Sequence, residues 1–182
     1  AIDFNARVGQ MMNILDGLES NNIFENIKDG LDPVLQSLNK LNVQLYSTGG
    51  TQKFIEDLGY SCTSIESVTG YPSILDGRVK TLHPKVFGGI LAIKDNEDHM
   101  AQSEQFEFPT FDLVMVDLYP FAETVAAGGT EEEIIEKIDI GGVSLIRAAA
   151  KNHAHCVIIS HKSQYEYFVN TLQTHGSEIP FD

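Results

Sequence analysis

The run FDLVMVDLY (111–119) is apolar at almost every position. A strand with one face in water alternates apolar and polar residues, whereas a strand covered on both faces reads as a nearly unbroken apolar run. The run therefore predicts a central strand of a parallel sheet with helices on both sides. VQLYS (43–47), SCTSI (61–65), VFGGILAI (86–93) and HCVIIS (155–160) read as further strands, and helices are expected at 51–58, 96–105, 130–138, 143–151 and 163–173. Such alternation predicts an α/β fold in three layers, with a mainly parallel sheet flanked by helices.

Local signals set the boundaries. Gly49 and Gly50 form a tight turn between a strand and a helix that Gly59 ends, and Thr130 with Glu133 has the spacing of a capping box whose acids favour a helix N-terminus. Asp32 is expected as an N-cap and Pro33 as the first residue of a helix burying Val34, Leu35, Leu38 and Leu41. Val8, Met11, Met12, Leu15 and Leu18 fall at helical spacing over residues 5–18, so the N-terminal segment, residues 1–27, is expected to be helical.

At 182 residues the chain is the size of one domain, and its 26 acids against 12 Lys and Arg leave a net charge of -14. That field repels nucleic acid and anionic membranes, so an anionic ligand needs its own basic pocket. No apolar run is long enough to span a membrane and no basic-then-apolar leader opens the chain, so a cytoplasmic protein is expected. Cys62 and Cys156 have no close Cys or His neighbours in sequence and read as free buried thiols; no metal site is expected.

Against the acidic background, GRVKTLHPK (77–85) gathers Arg78, Lys80, His83 and Lys85 without an acid. Arg78 offers a planar fork for phosphate or carbonyl oxygens, and a partly desolvated Lys80 is suited to proton transfer. STGGT (47–51) leaves a strand and opens a helix, so its backbone N–H groups and hydroxyls can surround a phosphate. DLYPF (117–121) puts Asp117 and Tyr119 at the carboxyl edge of the most apolar strand, IDIGG (138–142) puts Asp139 ahead of Gly141, Gly142 and a helix start, and Lys151, Asn152 and His153 end that helix. Each has a plainer structural reading: Tyr119 as a core aromatic, Asp139 as a cap, Lys151 as a complement to the helix dipole. Together these loops point to acid–base chemistry on a phosphorylated small molecule.

STGGT, VTGYPSILDGRVKTLHPKVFGGIL, DLYPF and DIGGVSLIRAAAKNH, in that order between about Lys28 and Tyr167, closely resemble the inosine monophosphate cyclohydrolase domain of the bifunctional purine biosynthesis enzyme. The resemblance implies a methylglyoxal-synthase-like fold over residues 28–182. It also implies ring closure of 5-formamidoimidazole-4-carboxamide ribotide to inosine monophosphate and water, with no cofactor. Carried over by motif, the phosphate and ribose loop falls on Ser47, Thr48, Gly49, Gly50 and Thr51. The catalytic groups fall on Lys80, Tyr119, Asp139 and Lys151, and further substrate contacts on Lys28, Arg78, Thr81, Asp117, Gly141, Gly142 and Asn152. Family members are homodimers with a larger C-terminal formyltransferase domain, so this chain is expected to carry the cyclohydrolase half only.

One departure stands out. The family's first strand bears serines just before a Lys-x-Gly-Leu step; here Lys28 to Leu31 match the step, but NIFENI (22–27) puts Phe24 and Asn26 where the serines are expected. Two other readings share the fold: a noncatalytic nucleotide sensor, like the allosteric domain of carbamoyl phosphate synthetase, and methylglyoxal synthase itself. The sensor would need the anion loop but not the four catalytic groups together.

Overall fold

In a computed structural model of the chain, residues 2–3, 10–15 and 23–179 are described, with side chains from Gly30 onward. The elements are β1 (Ile2–Asp3), β2 (Gln10–Leu15), α1 (Ile23–Lys40), β3 (Gln44–Ser47), α2 (Gly49–Asp57), β4 (Cys62–Ser64), α3 (Ile65–Thr69), α4 (Pro84–Leu91) and α5 (Glu97–Gln105). They continue with β5 (Leu113–Asp117), α6 (Phe121–Ala126), α7 (Glu131–Glu136), α8 (Gly141–Lys151), β6 (Val157–Ile159), a 3-10 turn (Lys162–Gln164), α9 (Tyr165–His175) and β7 (Glu178–Ile179).

Five strands form a parallel sheet in the order β4-β3-β2-β5-β6, and β1 pairs antiparallel with β7. Alternation along the strands divides the interior in two. Leu45, Leu113, Met115 and Ile159 point to one face, where Leu31, Val34, Leu35 and Leu38 of α1, Phe54 and Ile55 of α2, and Phe168 and Leu172 of α9 cover them. Tyr46, Val114 and Val116 point to the other, under Ile65 of α3, Val86 and Ile90 of α4, and Leu145, Ala148 and Ala149 of α8. This is the three-layer α/β arrangement that the apolar run at 111–119 predicts, with that run at its centre.

Three local expectations are corrected. Residues 10–15, expected within a helix, form β2, hydrogen-bonded between β3 and β5. Met11, Met12 and Leu15 fit a helical stripe, and together with Ile14 they also meet the two-sided apolar demand of a central parallel strand, so periodicity alone does not separate the two. The helix expected before Lys28 is present from Ile23, but it runs on without a break to Lys40, across the expected boundary at residue 28. Pro33 accordingly lies inside α1, and Asp32 does not cap it; the Asp32 carboxylate instead accepts from Gln36 Nε2 at 2.8 Å and the Tyr60 hydroxyl at 3.4 Å. An interior proline costs about 3 kcal/mol, which the fully buried stripe of Leu31, Val34, Leu35 and Leu38 outweighs.

The third correction concerns residues 86–93, expected as a strand. They belong to α4, which starts at Pro84 with His83 as N-cap, the imidazole Nδ1 accepting from the Lys85 N–H at 3.2 Å. The glycine pair that resembles strand punctuation serves close packing. A Cβ on Gly89 would lie 2.2 Å from the Pro109 carbonyl oxygen, and the Gly89 carbonyl accepts from the Phe111 N–H at 2.9 Å. Helices α3 and α6 lie where no helix is expected from the sequence, α3 beginning at Ile65, the last residue of the expected strand 61–65.

Candidate functional site

In a parallel sheet the strand-to-helix loops gather at the carboxyl edge, and here that edge carries the residues after β3 and β5. Ser47 ends β3 fully buried, and its Oγ has no hydrogen-bond partner among the described residues. Thr48 and Thr51 are buried as well, while Gly49 and Gly50 are exposed. Thr48 is the N-cap of α2 but makes no side-chain cap, and Gly49 has φ +48, a left-handed conformation that favours glycine. The first turn of a nine-residue helix thus presents its N–H groups to solvent, ringed by hydroxyls, which is the physical requirement for holding a phosphate.

Helices α4 and α8 also start at this edge, because their C-terminal ends are joined at the opposite one. There Asn152 Nδ2 donates to the carbonyls of Ile90 at 2.8 Å and Ala92 at 3.0 Å, beside a nearly buried Lys94–Asp112 ion pair whose ammonium also donates to the His155 carbonyl at 2.7 Å. The segment leading into α4 carries the cations. Ile74 and Val79 pair across a tip in which Leu75, Asp76 and Gly77 all have positive φ, at 54, 53 and 88°. Lys80 folds back over the tip, so that a Cβ on Gly77 would lie 3.0 Å from its Cε and 3.3 Å from its Nζ. Arg78 points outward into an ion pair with Glu136 of α7, and Thr81 is buried beneath.

Tyr119 follows β5 and is half-buried, with Lys137 Nζ 5.7 Å from its ring centre. Asp139 sits at the start of α8, its Oδ1 accepting from the Gly142 N–H at 2.6 Å. A Cβ on Gly142 would meet Asp139 Oδ2 at 2.7 Å and Leu118 Cδ2 at 2.9 Å, so the absence of a side chain there lets the carboxylate close against the residue before Tyr119. Gly141 opens α8 and is partly exposed. These contacts link the Arg78–Lys80 tip, Tyr119, Asp139 and the glycines of α8 at one end of the molecule.

Three of the expected site residues are elsewhere or otherwise employed. Asp117 is committed to the fold, its Oδ1 accepting from the Lys162 N–H at 2.8 Å and its Oδ2 from the Tyr165 hydroxyl at 3.0 Å. Asn152 spends its amide N–H groups tying α8 to α4. Lys151 is exposed at the far end of α8, an 11-residue helix about 16 Å long, and so is not brought to Asp139. The Lys28 side chain lies outside the described residues. Sequence reasoning missed Glu136 and Lys137; the signal was present in Lys137, a cation two residues before Asp139 in a chain poor in cations.

Both thiols are free; Cys156 is buried as expected, whereas Cys62 is only half-buried. Burial pushes both Cys62 and Cys156 up to about 12, so neither is a nucleophile at neutral pH. No helix among the described residues is long and apolar enough to cross a membrane.

Residues 30–144 match the family model of the MGS-like domain. The bifunctional purine biosynthesis protein PurH of Bacteroides thetaiotaomicron is 55% identical over 150 residues, covering 82% of this chain and 30% of that protein. The proteins of the same name from Corynebacterium glutamicum strain R and Bacillus subtilis are 48% and 45% identical, over 82% of this chain and 29% and 30% of theirs. The chain therefore spans about a third of the length of these relatives. Among solved structures, the crystal structure of ForH superposes with a TM-score of 0.70 at 28% identity, covering 94% of this chain and 81% of that one.

Proposed function

Because the chain belongs to the MGS-like domain family, we propose that it serves purine biosynthesis as an inosine monophosphate cyclohydrolase, closing the six-membered ring of 5-formamidoimidazole-4-carboxamide ribotide with loss of water. The reading is supported chiefly by one observation: the hydroxyl-ringed N-terminus of α2 shares the carboxyl edge with the loops bearing Lys80, Tyr119 and Asp139. A nucleotide monophosphate has the matching polarity, with a dianion at one end and a base needing proton transfer at the other.

Ring closure joins the carboxamide nitrogen to the formyl carbon. The nitrogen loses a proton as it attacks and the formyl oxygen gains charge; that oxygen takes up one proton to become a hydroxyl and a second to leave as water, while the formamido nitrogen gives up its own N–H proton and the ring C=N bond forms. Both groups already belong to one molecule, so alignment supplies much of the rate. Asp139, aimed by the Gly142 N–H, accepts the amide proton; Lys80 and Tyr119 stabilise the charge on the formyl oxygen and return a proton to it. Arg78, Thr48, Thr51 and the N–H groups of Gly49 and Gly50 hold the phosphate and ribose. Homodimerisation belongs to the same proposal.

A noncatalytic nucleotide-binding domain is the second reading. It is favoured by the placement of Lys151 at the opposite edge and the engagement of Asp117 and Asn152 in the fold. Incubating the purified chain with the ribotide and following inosine monophosphate by absorbance and chromatography separates the two. The enzyme converts it, with Lys80→Ala slower by a factor of about a hundred or more. Binding without conversion would sustain the second reading and sink the first.

A further inference from the structure

Arg78 and Glu136 form an ion pair between segments 58 residues apart, and both side chains are well exposed, at 68% and 50%. Exposed pairs of this kind contribute little to stability because water screens them. The pair is more informative as a statement about Arg78. Its guanidinium, on a tip of three left-handed residues beside Lys80, is occupied by a carboxylate of the protein itself. Guanidinium binds carboxylate and phosphate through the same planar fork, so an anionic ligand arriving at this edge must compete with Glu136 for it.

We propose that Glu136 is an affinity-setting residue: it occupies Arg78 in the ligand-free protein, gives way to the ligand's anionic group, and so tunes how tightly the site holds a phosphorylated ligand. Glu136 acts through Arg78 and is a positioning residue. Neighbouring contacts support an exchange in place. Lys137, the next residue, lies over Tyr119, so the end of α7 is fixed against the β5 loop and keeps the carboxylate at the site's rim. The exchange also reconciles a chain of charge -14 with an anionic ligand: the rim carboxylate keeps the tip neutral until a stronger acceptor displaces it. The identity of the ligand rests on the nucleotide reading above, whereas the competition itself requires only a phosphate.

The test is calorimetric titration of wild type, Glu136→Gln, Arg78→Ala and the double variant with inosine monophosphate, and separately with inorganic phosphate. Glu132→Gln, exposed on the same helix, controls for the simple loss of a negative charge. Glu136→Gln is expected to bind about two- to five-fold tighter, a gain of the size of one exposed ion pair. That gain should be absent in the Arg78→Ala background and in the control. Unchanged or weaker binding by Glu136→Gln, or an equal gain with Arg78 removed, overturns the proposal. If inorganic phosphate shows the pattern and the nucleotide does not bind, the competition stands and the nucleotide reading falls. Failure of wild type to bind either probe overturns both.

Discussion

The Tyr165 hydroxyl donates to Asp117 Oδ2 at 3.0 Å, while the other carboxylate oxygen receives the Lys162 N–H. This contact locks the exit of β5 to the start of α9, and removing the carboxylate strands a buried hydroxyl. Asp117→Ala is expected to cost about 1–3 kcal/mol of stability by urea denaturation, and Tyr165→Phe about 1 kcal/mol. Burial, reinforced by the Asp117 charge, raises the Tyr165 pKa above its ordinary value near 10. The folded state therefore keeps a proton that the unfolded state releases above about pH 10, so this contribution is present below that pH and is lost above it. Tyr165→Phe should flatten that part of the alkaline limb.

Gly142→Ala tests the closing of Asp139 against Leu118. The added methyl would meet two movable side-chain ends, so the fold should survive with a loss of about 1–2 kcal/mol. The carboxylate must swing away, however, and turnover should fall about ten-fold or more with little change in KM. Wild-type turnover in this variant would remove Asp139 from the proposed chemistry.

Lys151 and Lys80 are expected to differ. Within one chain Lys151 stands at the other end of α8 from Asp139, so Lys151→Ala should slow ring closure by less than about ten-fold, against about a hundred-fold for Lys80→Ala. An equal collapse in both, measured by initial rates, would mean that Lys151 reaches the reaction from a second copy of the chain.

Lys137 holds Tyr119 from above by a cation–π contact, worth about 0.5–1 kcal/mol in an exposed setting. Lys137→Met should lower kcat severalfold, and Lys137→Arg, which keeps a cation over the ring, should restore it. Steady-state kinetics of the three proteins decide the matter; equal rates would make the contact incidental.

Why some of this was legible in the sequence and some was not follows from how each signal arises. The strands β3, β5 and β6 and helices α2, α8 and α9 were readable because burial on one or both faces writes a period into the chain, and α7, which buries no residue, was readable from its Thr130–Glu133 capping box. Gly88 and Gly89 misled because close approach to Phe108, Pro109 and Phe111 is a tertiary demand with no local signature. Residues 10–15 misled because the apolar pattern of a central strand also fits a helix face. The loops of the candidate site were visible as clusters of residue types. Which side chains the fold keeps for itself was not: Asp117 and Asn152 are bound by partners 48 and 62 residues away, and Arg78 by one 58 residues away.

The sheet separates two cores that share no side chain, one under α1, α2 and α9 and the other under α3, α4 and α8. The phosphate loop belongs to the first and the Lys80 and Asp139 loops to the second. A ligand reaching from one to the other would act as a staple across the sheet's rim, joining two half-molecules that pack on opposite faces of the five strands. Occupancy would then be felt as cooperativity: the amide protons of α2 and α8, free to open separately in the empty protein, would exchange together once the staple was in place.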